Sequence, residues 1–187
     1  MDDLMLGWEI SDMRQNSDVE QWVRRPVTID IRPNLDHLAD FLVKDESILD
    51  VGCGAGYLKD YLKWKNYIGV DICPDEIERA LKLHPGEACF KIGNLFDLEE
   101  KADVVICSRV LIHIPFEEAV AKLIQLATRL LIVILKIGPV DKLERFHSQL
   151  GSFYQMEFSR DTVNRVFGKC VVATFSKYSN IYKWNAS

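Results

Sequence analysis

Two acidic residues and a run of glycines carry the most chemical information in this chain. Ile48-Leu49-Asp50-Val51-Gly52-Cys53-Gly54-Ala55-Gly56 reads as a strand that ends in a glycine turn and opens a helix. Glycines permit a tight turn and let a backbone approach a ligand closely. In an open parallel sheet, ligands bind at the carboxyl ends of the strands, where such a turn sits. A dinucleotide would place its pyrophosphate at the helix N-terminus; a nucleoside without phosphates would not. Asp50 favours the second ligand, because a carboxylate just before the first glycine repels a pyrophosphate and suits a cation. The spacing is also GxGxG, not the GxGxxG of the dinucleotide fingerprint. The next strand, Tyr67-Ile68-Gly69-Val70, ends at Asp71. A carboxylate there can take both ribose hydroxyls of a nucleoside. The plainer role for Asp71 is to cap the helix that follows.

The elements that must position these residues alternate from about Asp36 onward. Strands are expected at 47–51, 67–70, 88–92, 103–108 and 130–137, with helices at 55–64, 74–83 and 116–129. The last helix should bury Ala119, Leu123, Ile124 and Ala127. Strands that are apolar throughout suit a parallel sheet covered on both faces by helices. The tail differs: 153–158 and 169–177 are strand-like, with a short helix expected at 160–167 between them. These two strands are expected to close the sheet as an antiparallel pair. A helix is also expected over 141–150, carrying a solvated His147. Residues 1–35 stand outside the alternation and divide from a main domain at 36–187. With Trp8, Trp22, Arg24 and Arg25 they are expected to form an arm or lid.

Composition narrows the classes. The chain has 187 residues, 48% hydrophobic and 27% charged, as for one globular domain with a real core. Its net charge of −5, with no basic stripe beyond Arg24-Arg25, argues against nucleic acid as a partner. The five cysteines include no CxxC pair, so no metal site is expected. Their odd number and the acidic N-terminus point to a cytoplasmic protein with reduced thiols. The longest apolar run, 130–135, is too short to span a bilayer, so no membrane partner is expected. Nothing in the pattern sets the oligomeric state.

ILDVGCGAG, followed by GVD, GNLFDL and DVVICSRVLIHIP, resembles the class I S-adenosylmethionine-dependent methyltransferase superfamily over about residues 45–135. The resemblance implies a Rossmann-like α/β fold with a doubly wound, mainly parallel seven-stranded sheet. Its order would be 3-2-1-4-5-7-6, with strand 7 antiparallel. It implies S-adenosyl-L-methionine as cofactor. Asp50 and the turn Gly52, Cys53, Gly54 and Gly56 would hold the methionine part, Asp71 the ribose, and Ile72 would pack on the adenine. Asn94, beside Leu95, stands where the family often has an acid for the adenine amino group; Asp97 is the acid nearby. Within that superfamily the chain resembles the small-molecule methyltransferases of type 11 and 12, and its VLIHIP segment resembles methyltransferases found with sugar and secondary-metabolite pathways.

Methyl transfer needs proximity and orientation more than covalent help. By the resemblance, the segment 107–115 lies between cofactor and substrate. His113 is a candidate general base, needed only if the acceptor must lose a proton; its alternative is to brace the loop. Arg109 would pair with a substrate carboxylate or phosphate, or else make a surface ion pair. Ser108 and Cys107 are expected to line the pocket, with Ser108 and Leu95 among the residues that hold the cofactor, and Lys136 is expected to form the pocket wall. The expected activity is methyl transfer to oxygen or nitrogen of a small molecule. The alternatives are a protein or RNA acceptor, a cofactor-binding partner subunit without catalysis, and a nicotinamide-dependent reductase, which Asp50 and the glycine spacing disfavour.

Overall fold

The computed structural model describes residues 38, 41–62, 66–86, 89–135, 137–148, 151–168, 171–176 and 179–185. Trp8, Trp22, Arg24, Arg25, Lys136 and the division at residue 35 fall outside them. The first half alternates as expected. Strand β1 (Ile48–Val51) is followed by helix α1 (Tyr57–Leu62), β2 (Tyr67–Asp71), α2 (Pro74–Leu83), β3 (Phe90–Ile92) and β4 (Ala102–Ser108). Helix α3 (Phe116–Leu126) then leads into β5 (Ala127–Leu135), β6 (Ile137–Gly138), β7 (Lys142–Ser148) and β8 (Gly151–Ser159). Helix α4 (Arg160–Phe167), β9 (Val171–Ser176) and β10 (Ser179–Asn185) complete the order.

Seven strands form the main sheet in the order β3-β2-β1-β4-β5-β10-β9. The first five are parallel, and β10 runs antiparallel to both β5 and β9. The period of two in each strand divides the core between the two faces. Leu49, Val51, Val105, Cys107, Leu131 and Val133 pack on one side, with α3, α4 and β8. Ile48, Tyr67, Val104, Ile106, Leu130 and Ile132 pack on the other, with Leu58 of α1 and Ile77 and Ala80 of α2. This is why β5 reads as an unbroken apolar run: Leu130 to Leu135 are all buried, alternately above and below the sheet. Each such side chain contributes roughly 1.5–3 kcal/mol by leaving water.

One aromatic ring fills space that two glycines leave. A Cβ at Gly56 would lie 2.6 Å from Phe90 Cζ, and one at Gly69 would lie 2.7 Å from Phe90 Cδ1. The ring is thereby wedged between the glycine turn and β2, edge-on to Tyr67 with centroids 5.8 Å apart.

Three expectations are corrected. Helix α3 stops at Leu126, and residues 127–129 belong to β5. There Ala127 pairs with Ala102, and Thr128 Oγ1 donates to the Ala102 carbonyl at 3.2 Å, so contacts with β4 win over helical continuation. The stretch 141–150 holds a strand, not a helix. Leu143 and Phe146 have helical spacing, but strand β7 sets Lys142 opposite Glu157, Leu143 opposite Met156 and Phe146 opposite Phe153. Such cross-strand pairs stabilise a hairpin that single-residue propensity does not reveal. Finally, 153–158 does not close the main sheet. It lies in β8, the middle strand of a separate three-stranded sheet, β6-β8-β7. The closing antiparallel pair is β9 with β10, so the last strand falls at 179–185.

A polar clamp fixes the amino ends of β1 and β4. Ser47 donates to Asp103 Oδ2 from its N–H at 2.9 Å and from its hydroxyl at 2.7 Å. The Asp103 N–H returns a bond to Ser47 Oγ at 2.9 Å. These bonds hold the Asp103 carboxyl below its ordinary value. Replacing Asp103 with Ala should lower stability by roughly 1 kcal/mol, a charged hydrogen bond discounted for exposure. The native advantage should fade as pH falls below the ordinary carboxylate range, because the unfolded chain binds the proton first. Urea unfolding of both proteins at neutral and acidic pH checks this.

Candidate functional site

At the carboxyl end of β1 the chain turns through Gly52, whose φ of 76° lies in the left-handed region. A Cβ there would also overlap the Val110 Cγ2 methyl, so the loop after β4 sits directly against the turn. The N–H groups of the turn are largely committed. Those of Gly52 and Cys53 both donate to the Val70 carbonyl, at 2.7 and 3.1 Å. Gly54 donates to Asp71 Oδ2 at 2.8 Å, and Gly56 donates to the Cys53 carbonyl at 3.0 Å. A pyrophosphate would need such groups free.

Carboxylates surround the turn instead. Asp50 shares a sheet face with Ile48 and is only 3% exposed. Tyr67, beside it on β2, donates its hydroxyl to Asp50 Oδ2 at 2.5 Å. On the ring of Tyr67 lies Lys59 of α1, with Nζ 5.7 Å from the centroid. Burial is the main reason that the Asp50 carboxyl is pushed up to about 7; the Tyr67 bond opposes the shift and nearby Asp71 adds to it. Asp71 accepts from Cys73 N–H at 2.9 Å through its other oxygen, Oδ1. It is raised chiefly by burial, against the pull of these backbone donors. Asp71 thus ties the turn to the start of α2, with Cys73 as the N-cap. Each of its oxygens keeps a further lone pair for a hydroxyl donor.

The sequence pattern did not single out Glu76. Its carboxylate is buried in the first turn of α2 and accepts from Arg79 at 2.8 Å. Glu76 Oε2 is the heavy atom nearest to where a Cβ on Gly54 would stand, at 3.9 Å. Burial raises it despite Arg79. Its signal was the buried face of α2, where Glu76 precedes Ile77 and lies four residues before Ala80. Three carboxyl groups raised by burial beside one turn make a site whose charge a bound cation would relieve.

The other expected residues separate. Ile72 is half-buried just beyond β2. Asn94 Oδ1 accepts from Phe96 N–H at 3.1 Å and caps a short 3-10 turn, Leu95–Asp97. Leu95 is buried with Leu98 and Val70 in the core, and Asp97 is exposed. Cys53 is buried, its thiol against the Gly54 carbonyl, and burial drives its pKa well up. Cys107 lies wholly in the core instead of lining a pocket, and burial pushes its thiol far from ionisation. Ser108 Oγ is buried and has no hydrogen-bond partner among the described residues. Arg109 follows it with a φ of 61°. His113 ends a 3-10 turn, Leu111–His113, half-buried, its N–H on the Val110 carbonyl at 2.9 Å. His147 lies in β7. Among the described residues no cluster could hold a metal ion, and no helix is long and apolar enough to cross a membrane.

This architecture, with a glycine turn and acid at β1 and a second acid at the tip of β2, is that of the class I S-adenosylmethionine-dependent methyltransferases. A family model described as a methyltransferase domain matches residues 23–134, and the chain belongs to that family. No curated protein matches the sequence. Among solved structures, it is similar to magnesium protoporphyrin IX methyltransferase from Synechocystis PCC 6803 with bound S-adenosylmethionine, at 22% identity and a TM-score of 0.63 over 96% of each chain. It is also similar to DhpI with S-adenosylhomocysteine, at 15% identity and a TM-score of 0.67, over 92% of this chain and 95% of that one. The glycopeptide N-methyltransferase MtfA, complexed with S-adenosyl-L-homocysteine, gives 10% identity and a TM-score of 0.64, over 86% and 91%.

Asp50 gives the site a measurable signature. The folded chain holds the Asp50 proton up to about pH 7, whereas the unfolded chain releases it near 3.8. Native stability from this group is therefore full below the lower value and is lost as pH rises through the upper one. Asp50→Asn should flatten the fall in melting temperature between about pH 5 and 7 in the ligand-free protein. Melts of both proteins with the same slope would show that Asp50 does not titrate there.

Proposed function

We propose that the chain binds S-adenosyl-L-methionine at the glycine turn and transfers its methyl group to oxygen or nitrogen of a small-molecule acceptor. The observation that carries this reading is the turn itself, its N–H groups committed and three buried carboxylates beside it. Such a site rejects a pyrophosphate and suits a ligand bearing an ammonium and a sulfonium. Asp50 and Glu76 supply negative charge under the turn. The free lone pairs of Asp71 take the ribose hydroxyls, Ile72 packs on the adenine, and the Asn94 amide meets the edge of the base. The cofactor supplies a methyl group already activated for attack by its sulfonium.

The protein's remaining task is to orient the acceptor and exclude water. The loop 108–115 does so from the carboxyl end of β4, where it presses on Gly52 through Val110. His113 accepts a proton if the acceptor must lose one. Small acceptors fit the net charge of −5, which opposes nucleic-acid phosphates. Titration calorimetry with S-adenosylmethionine and S-adenosylhomocysteine, with NADH as control, tests the reading. Micromolar binding of the first two alone supports it. Binding of NADH alone would favour a reductase, and binding of none would favour a partner-dependent or non-catalytic role.

Asp71→Ala should weaken S-adenosylmethionine by about 1–3 kcal/mol, as for lost hydrogen bonds to a charged group. Unchanged affinity would remove Asp71 from the ribose. For His113→Ala, a methyl-transfer rate with its pH profile unmoved would assign the imidazole to bracing the loop.

A further inference from the structure

We propose that Arg109, with the hydroxyl of the preceding residue Ser108, is a receptor for an anionic group, carboxylate or phosphate, on the methyl acceptor. The proposal rests on the methyltransferase reading and names the chemistry of its substrate. Four observations support it. The first is position. Cys107 is in register with Val51, so Ser108 and Arg109 extend β4 alongside the glycine turn, and the next residue, Val110, contacts Gly52.

The second is backbone strain. Arg109 is one of two non-glycine residues among those described with a left-handed φ, here 61°. Its N–H donates to the Ile134 carbonyl at 3.0 Å, which holds the residue in that conformation. Side chains other than Asn or Asp occupy this region at a cost, and such strain gathers at ligand-binding sites.

The third is an unneutralised charge. The guanidinium is half-buried, and burial alone lowers its pKa. No carboxylate pairs with it among the described residues. Those around the turn are engaged elsewhere: Asp50 with Tyr67, Asp71 with the N–H groups of Gly54 and Cys73, and Glu76 with Arg79. A charge partly removed from water without a counterion is costly, and an incoming anion removes that cost. A guanidinium also presents paired donors that match a carboxylate or a phosphate. The fourth is the Ser108 hydroxyl, buried and without a partner among the described residues. Buried polar atoms are rarely left so unless a ligand or water completes them.

The test uses the full chain saturated with S-adenosylhomocysteine, titrated separately with inorganic phosphate and with benzoate. The readout is the nitrogen-15 resonance of the Arg109 side chain, assigned by its loss in Arg109→Gly. At least one anion should shift that resonance saturably, and the stronger of the two identifies phosphate or carboxylate. By calorimetry, Arg109→Gly should bind that anion at least tenfold more weakly. Glycine suits the left-handed backbone, so the variant should melt no lower than the wild type, and the loss is then not one of folding.

A resonance that neither anion moves, or wild-type anion affinity in Arg109→Gly, would overturn the proposal. So would a variant that loses S-adenosylhomocysteine but keeps methylthioadenosine, which lacks a carboxylate, because Arg109 would then serve the cofactor. Failure of S-adenosylhomocysteine to bind the wild type would overturn the methyltransferase reading and the acceptor with it. Cofactor binding with silent anions would overturn the receptor alone.

Discussion

A carboxylate buried at the end of a strand governs the architecture around it. Asp50 lies on the same sheet face as Ile48, among apolar neighbours, where an ionised group is unstable without donors or counter-charge. The fold supplies one donor, the Tyr67 hydroxyl, and sets Lys59 over the same ring. That arrangement requires β2 to lie in parallel register beside β1, with Leu49 opposite Ile68 and Asp50 opposite Gly69. It also leaves the Asp50 carboxyl poised near neutrality. A cation bound above the glycine turn would complete the compensation that the protein alone makes only in part.

The two faces of the sheet serve different ends. The face carrying Tyr67, α1 and α2 brings the acids together, because Asp71 bonds both to the turn and to the start of α2. The opposite face supports the segment after β4, where Leu111, Ile112 and Ile114 join the core. There Phe116 of α3 stacks on Phe158 of β8 with centroids 4.1 Å apart, and Phe167 of α4 meets Phe116 edge-on. Met156 and Phe158 anchor the small second sheet to this core. The turn carrying His113 packs against β8 of that sheet, and Val110 just before it meets Gly52 of the glycine turn.

Much of this was legible in the residues. The strand-turn-helix at 48–62 and the acid at the tip of β2 announce themselves through spacing, since glycine and aspartate are demanded there by backbone and charge. The buried parallel strands β4 and β5 are equally plain, because 104–107 and 130–135 are unbroken apolar runs. The β7–β8 hairpin was not legible: its stabilisation comes from pairs such as Leu143 with Met156, which only the folded register brings together. Glu76 was hidden for a related reason. An acid in the first turn of a helix looks like ordinary complement to the helix dipole, and only the placement of α2 turns its carboxylate toward Gly54. The committed N–H groups of the turn likewise belong to three dimensions, since Val70 and Asp71 claim them from the neighbouring strand.

The wedge of Phe90 between two glycines has a consequence for how this sequence can drift. Positions 53, 69 and 90 form a linked set. An alanine at 69 would meet both the Phe90 ring and Cys53 Sγ, so a smaller residue at 90 alone does not make room for it. At 56 the φ of 81° disfavours any side chain whatever stands at 90, and His84 Nε2 lies 3.0 Å from the place of a Cβ. The turn glycine is therefore held by its own backbone and the strand glycine by two neighbours at once, so drift at 69 waits on two earlier replacements, at 90 and at 53.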